Sequence, residues 1–177
     1  RKLTMVKTSS SQSFTIALTD RNDAPTAQLP IGLSAVEQVP LALQGQGLVV
    51  ADVDAGTGQV RVTLSVVSGA LNAAAGSTGV LVSGSGTTTL TLTGTIAQIN
   101  ALFDGLQGAT LGYLIDTDLP PPSDTLTLVV TDQGHSGPGG ALTATASTSI
   151  AITDGYDAPT VVDHGWSMPF GTPLRMA

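Results

Sequence analysis

Apolar and polar residues alternate along much of this chain, and where they do the period is two. That pattern puts successive side chains on opposite faces of a strand. It predicts strands at Val39–Leu43, Leu48–Ala51, Val60–Val67, Val80–Ser83, Thr87–Thr93, Thr110–Ile115, Thr125–Thr131 and Ala141–Thr153. Between them stand DAGTGQ, SGSG, LPPPSD and QGHSGPGG, rich in the Gly, Pro, Asp and Ser that turns require. One stretch breaks the rhythm. In Thr95–Phe103 the apolar residues Ile96, Ile99 and Phe103 fall at i, i+3 and i+7, and Thr95 can cap the first turn. This is a short helix, expected to cross from one sheet to another. Many short strands with Gly and Pro turns make an all-β sandwich the expected architecture.

The chain also repeats itself. SQSFTIALTDRNDAPT (Ser11–Thr26) matches TSTSIAITDGYDAPT, which ends at Thr160, so TDRNDAP returns 134 residues later as TDGYDAP. That interval exceeds the 20–50 residues of solenoid repeats and suits one whole domain per repeat. Three parts are expected. Residues 1–25 would be the last strand and linker of a preceding unit, or an added tail. Residues 26–159 would be one complete unit, and residues 160–177 the truncated start of the next. The opening RKLTMVKTSSS reads as a fragment edge.

Composition narrows the function classes. Apolar residues make up 41% of the chain and aromatics only 3%, so the core must be built from Val, Leu, Ile and Ala. The formal net charge is −7, without the basic stripe that nucleic-acid binding calls for. There is no cysteine, which removes disulfides, thiol chemistry and thiolate metal sites. No apolar run is long enough for a membrane-spanning helix. The acids are nearly all Asp, with Glu37 the lone Glu, and Asp favours turns and hard-cation sites over helix surfaces.

Those acids cluster. Asp20, Asn22 and Asp23 place three oxygen-bearing side chains within four residues, before Pro25. Calcium takes six to eight oxygen ligands, so further acids must converge on the linker. Asp52-Val53-Asp54, Asp116-Thr117-Asp118, the strand-ending Asp132 and Glu37 are the candidates. Turns of a sandwich fall at its two ends, and these acids divide between them.

Their order along the chain is Glu, then Asp-x-Asp, then an acidic triplet, then a strand ending in Asp-x-Gly, then a strand leading to Asp-x-Asn-Asp-x-Pro. That order resembles the cadherin repeat, and most closely the cadherin-like tandem repeats of giant bacterial surface adhesins of the RTX type. Gly94–Gly137 is similar to their recurrent segment, a small helix before a Tyr-bearing strand and a Thr-Asp-x-Gly strand end. The resemblance covers roughly residues 12–159. It implies an immunoglobulin-like, cadherin-like Greek-key β-sandwich with one short helix, and calcium at the junctions between domains. The first junction would use Asp20, Asn22, Asp23, Asp52, Asp54 and Asp132. The second would use Glu37, Asp116, Asp118, Asp154 and Asp157. It departs from the pattern, with Tyr156 in place of Asn22, a shorter final carboxylate in Asp118, and no Glu in the following unit to match Glu37.

The expected function is a non-catalytic extender repeat of an extracellular bacterial adhesin, stiffened by calcium and active in cell adhesion or biofilm formation. Its partners would be neighbouring repeats of the same chain, with homophilic or host ligands bound through other domains. The alternative is a glycan- or protein-binding module of the same surface protein. An enzyme is not expected. GHSGPGG carries adjacent His135 and Ser136 but lacks the Gly-x-Ser-x-Gly elbow, and reads as a hairpin loop. GSGTTT lacks the Lys of a phosphate loop. Asp104, Asp124 and Asp163 stand alone and are expected at the surface. Tyr113 is expected in the core, while Trp166 and Phe170 belong to the following unit.

Overall fold

The computed structural model describes residues 9–17, 21–134 and 138–155. Its frame is a six-stranded sheet in the order β2-β11-β10-β5-β8-β7, from strands Leu33–Val36 (β2), Thr143–Thr153 (β11), Ser123–Thr131 (β10), Gln59–Ser65 (β5), Thr89–Thr95 (β8) and Leu81–Ser83 (β7). A three-stranded sheet, β3-β9-β6, is formed by Leu41–Ala42, Thr110–Leu114 and Ala70–Ala74. A two-stranded pair joins β1 (Thr26–Gln28) to β4 (Val49–Ala51). Pairing is antiparallel except for β2, which runs parallel to β11 with Leu33 opposite Ile150 and Val36 opposite Thr153.

Strict alternation gives the sandwich its core. In β5 the buried residues are Val60, Val62 and Leu64; in β8, Leu90 and Leu92; in β10, Leu126, Leu128 and Val130. They meet Leu71, Leu111 and Tyr113 from the three-stranded sheet, with Leu43, Leu48 and Val50, in one continuous cluster. Each buried Leu or Val removes enough apolar surface from water to contribute about 1.5–3 kcal/mol. The outward positions of β5, β8, β10 and β11 carry mainly Thr and Ser, and Arg61 is their only charge.

The helix α1 spans Ile96–Phe103 between β8 and β9, and so links the two larger sheets. Thr95 caps it: its Oγ1 accepts from the Gln98 N–H, and the Thr95 N–H donates to Gln98 Oε1 at 2.9 Å. Ile99, Leu102 and Phe103 face the core. Asn100 uses both ends of its amide on Val50, donating Nδ2 to the carbonyl at 2.8 Å and accepting the N–H at 3.1 Å. The helix thereby supplies β4 with a partner on the side that β1 leaves open.

Three strands escape the alternation pattern: β1, β2 and β6. The first two are only three and four residues long, and β6 reads Ala-Leu-Asn-Ala-Ala, with too little apolar contrast to show a period. Ser11–Ala17, read from sequence as a strand of a preceding unit, forms no strand, and Phe14 and Ile16 are exposed. No described strand lies beside it. Residues 160–177, with Asp163, Trp166 and Phe170, lie outside the described residues.

Asp124 corrects a sequence expectation. It is buried, with 4% of its surface accessible, rather than exposed. The even positions of β10 face inward, and Asp124 falls in phase with Leu126 and Leu128. Its carboxylate is satisfied there, accepting from the Val67 and Ser68 N–H groups at 2.9 Å each and from the Tyr113 hydroxyl at 2.9 Å. Burial and the neighbouring carboxylate push the Tyr113 phenol well above its ordinary range, so it stays a donor. Gly69, at φ +72°, lets the β5–β6 turn close over this knot; a Cβ there would stand 2.9 Å from Tyr113 Cε2.

The knot should be costly to open. Tyr113→Phe removes one donor and should lower stability by about 1–2 kcal/mol, whereas Asp124→Ala strands a buried phenol and two N–H groups and should cost about 3 kcal/mol or more. Urea unfolding of the two variants measures both, and equal small losses would show that the knot is not a stabilising unit.

Candidate functional site

The acids singled out from the sequence separate to opposite ends of the sandwich. The 11 residues of β11 set the separation, roughly 35 Å at about 3.3 Å per residue. Linker residues Asn22 and Asp23 gather at one end with Asp52, Asp54 and Asp132. At the other end stand Glu37, Asp116, Asp118 and Asp154. Asp20 and Asp157 lie outside the described residues, as do Tyr156, His135 and Ser136.

At the first end, Asn22 and Asp132 are almost completely buried, 4% and 1% accessible. Asn22 Nδ2 donates to Asp132 Oδ2 at 2.6 Å and to the Gly140 carbonyl at 2.7 Å. The other Asp132 oxygen accepts from the Gly134 and Leu142 N–H groups at 2.9 and 2.8 Å. The linker is thus latched to the β10–β11 hairpin loop, and Asp132 holds both sides of that loop together.

Asp52 and Asp54 follow β4. The Asp52 carboxylate folds back to accept from the N–H groups of Asp54 and Ala55, both at 3.1 Å. Asp54 Oδ2 accepts from the Asp23 N–H at 2.9 Å, the second tie between linker and sandwich. The two carboxyls crowd each other. Burial, then the adjacent Asp54 carboxyl, push Asp52 above the ordinary aspartate range. Asp54 is held below it by hydrogen bonding to Asp52 and to the Asp23 N–H, against contrary pushes from desolvation and, more weakly, the Asp132 charge.

Two oxygens at this end are left over. Asn22 Oδ1 is buried and receives no hydrogen bond from a described residue, and Asp52 Oδ2, also buried, has the crowded Asp54 carboxyl beside it and no N–H donor. A buried polar atom without a partner costs about 1–3 kcal/mol, so such atoms call for a ligand. The leftover donors are hard oxygens, which suit a cation of the calcium type. Among the described residues no three carboxylates or imidazoles gather closely enough to hold a metal by themselves. A shell here would therefore need the Asn22 amide oxygen, which joins the cluster only through the latch. An open depression of about 280 Å³ adjoins the cluster, lined by Ala24, Thr26, Ala51, Asp52 and Val53.

The second end is built around Glu37, which is buried although it is the lone Glu. Its Oε1 accepts from the Gly155 N–H at 2.9 Å, and its own N–H donates to the Thr153 carbonyl at 3.1 Å. The departing chain is thereby fastened to the end of β2. Gln38 sits at φ +59°, unusual for a residue with a side chain, and is fixed from two directions. Its N–H donates to the Ile115 carbonyl at 2.8 Å and its amide to Asp118 Oδ1 at 2.7 Å. Gln38 was not singled out in the sequence, where nothing distinguishes it from other surface glutamines. Asp116, Asp118 and Asp154 are exposed around this point.

Neither comparison with known protein families nor comparison with curated proteins finds a match to this chain.

The latch yields a local prediction. Asn22→Ala removes the amide that bridges Asp132 Oδ2 and the Gly140 carbonyl, at a cost of about 1–3 kcal/mol. Amide hydrogen exchange at Gly134 and Leu142 should quicken by about tenfold or more, since about 1.4 kcal/mol corresponds to a factor of ten. The Val62 amide in the sheet centre should keep its rate. Unchanged exchange at Gly134 and Leu142 would show that the linker does not hold the loop.

Proposed function

We propose that residues 26–159 are a cadherin-like Greek-key unit of a tandem array in a bacterial surface adhesin, an extender with no catalytic role, whose ends bind calcium. The observation that carries this reading is the buried Asn22 Oδ1, left without a donor at the end where the Asp52 and Asp54 carboxyls crowd each other near Asp132. The separation of the acids into two end clusters supports it as well. A tandem array needs its cation sites where one unit meets the next.

Asn22, Asp23, Asp52, Asp54 and Asp132 would hold the cation at the first end, with Asp20. Glu37, Asp116, Asp118, Asp154 and Asp157 are the corresponding donors at the second. The cation would supply positive charge where carboxylates otherwise repel one another. The chain's own part is to bring the linker into that field. The Asn22 latch and the Asp23–Asp54 hydrogen bond already seat it on the sandwich. With the carboxylates neutralised, the linker loses its incentive to splay, and two successive units are held in one orientation. The outward reach of the array follows from that stiffness.

A ligand that binds only the folded state stabilises it by mass action, about 2.7 kcal/mol at 100 times its dissociation constant. For a chain of this size that raises the thermal midpoint by roughly 5–10 °C. Calcium should therefore raise the midpoint of the full chain and chelator should lower it, with the rise much reduced in Asp52→Asn. A midpoint indifferent to calcium and chelator would sink the reading.

A further inference from the structure

The two ends of the unit carry something besides acids. Val53 stands between the carboxylates of Asp52 and Asp54 with 84% of its surface exposed, and Leu119 stands next to Asp118 with 88% exposed. Few large apolar side chains among the described residues are barer. Single exposed apolar residues are ordinary on a protein surface. These two, however, occupy the tips of the acid-bearing loops at opposite ends. Leu119 also has company, because Val36 and Val39 are exposed on the neighbouring turn. That turn is joined to the Leu119 loop by the Gln38–Asp118 hydrogen bond. At the other end, Val53 borders the depression formed with Ala24 and Ala51.

We propose that these are the two halves of a head-to-tail contact. In it the Val36–Val39–Leu119 patch of one unit seats on Val53 and the adjoining Ala24–Ala51 depression of the unit that follows. The inference rests on the tandem reading given above and adds to it the surface through which neighbours touch. The path of the chain argues for this occupant. It leaves the sandwich at the patch, where the Gly155 N–H is fastened to Glu37, and 22 residues follow. It joins the sandwich beside the depression, through Asp23 and Ala24. A neighbouring unit is therefore delivered by the backbone to each apolar end. Heterologous contacts of this kind propagate as open arrays.

A few side chains are enough for such a contact. A covalent tether of a handful of residues turns association into an intramolecular event at an effective concentration in the millimolar range. The acids flanking Val53 and Leu119 explain why the contact is conditional. Bringing the ends together presses Asp52 and Asp54 toward Asp116 and Asp118, like charge against like. The apolar groups can meet only once a cation offsets that repulsion. Calcium then acts as a permit for an apolar contact as well as a tie between carboxylates.

The test is a tandem of two copies of this chain, fused in register so that Thr153 of the first copy runs into Asp20 of the second. Spin labels in the two units report the distribution of distances between them. In calcium the distribution should be narrow. Val39→Ser with Leu119→Ser in the first copy, or Val53→Ser in the second, should broaden it about twofold or more. All three positions are exposed, so thermal midpoints should hold, and calcium binding by calorimetry should change by less than twofold. Distributions of equal width in the parent and in both variants overturn the contact. Absence of calcium uptake by the parent tandem overturns the cation reading and with it a contact that needs the cation, whereas equal widths with calcium bound overturn the contact alone. Broadening accompanied by loss of calcium affinity also overturns the proposal, since it assigns these side chains a role in the cation site itself.

Discussion

The constraint on which everything else rests is the period of two in β5, β8 and β10. With only 3% aromatics, the sandwich has no bulky side chain to spare, and its interior is filled by Val and Leu delivered at every second position. Such a core has no room for unsatisfied charge. Asp124 is the one acid placed in phase with the inward row of these strands, and it needs two backbone N–H groups and a phenol to be tolerated. The remaining acids of the strand ends and loops are driven to where the alternation stops. That is why the charge of this acidic protein collects at the two ends, while the broad outer face of its main sheet carries mainly Thr and Ser.

End placement in turn shapes the chemistry. Carboxylates gathered at one tip repel each other, and the structure answers with backbone donors: Asp54 and Ala55 for Asp52, Asp23 for Asp54, Gly134 and Leu142 for Asp132. These donors fix where each carboxylate points without cancelling its charge. The linker is drawn into the same arrangement through Asn22, so the path of the chain and the state of the acids are coupled.

Much of this was legible in the sequence, for a physical reason. Strands with strong apolar contrast announced themselves, and β5, β9 and β10 fall within a few residues of their expected positions. The helix was equally clear, because Thr95 and the i, i+3, i+7 spacing belong to a different period. The strands that escaped, β1, β2 and β6, are short or alanine-rich, and tertiary pairing forms them where local pattern does not. That the acids divide between two ends was visible in the order of strands and turns, while which acid goes to which end came from the resemblance to the cadherin repeat. The burial of Asp124 did not. Its inward phase is visible beside Leu126, but the donors that make it tolerable come from the β5–β6 turn and from β9, which are distant in sequence. Gln38 was hidden for a similar reason, since only the fold brings Ile115 and Asp118 to it.

The parallel pairing of β2 with β11 has a mechanical meaning. The chain joins the sandwich near one end and departs from the other, and these two strands lie on either side of that path. A pull on the two ends drags β2 and β11 past each other along their common axis. The bonds linking Leu33–Val36 to Ile150–Thr153, and the Glu37 fastening beyond them, then share the load at once instead of parting one by one. Rupture of such a patch requires a concerted slip, so a strand pairing only four residues long sits where tension would be resisted most abruptly.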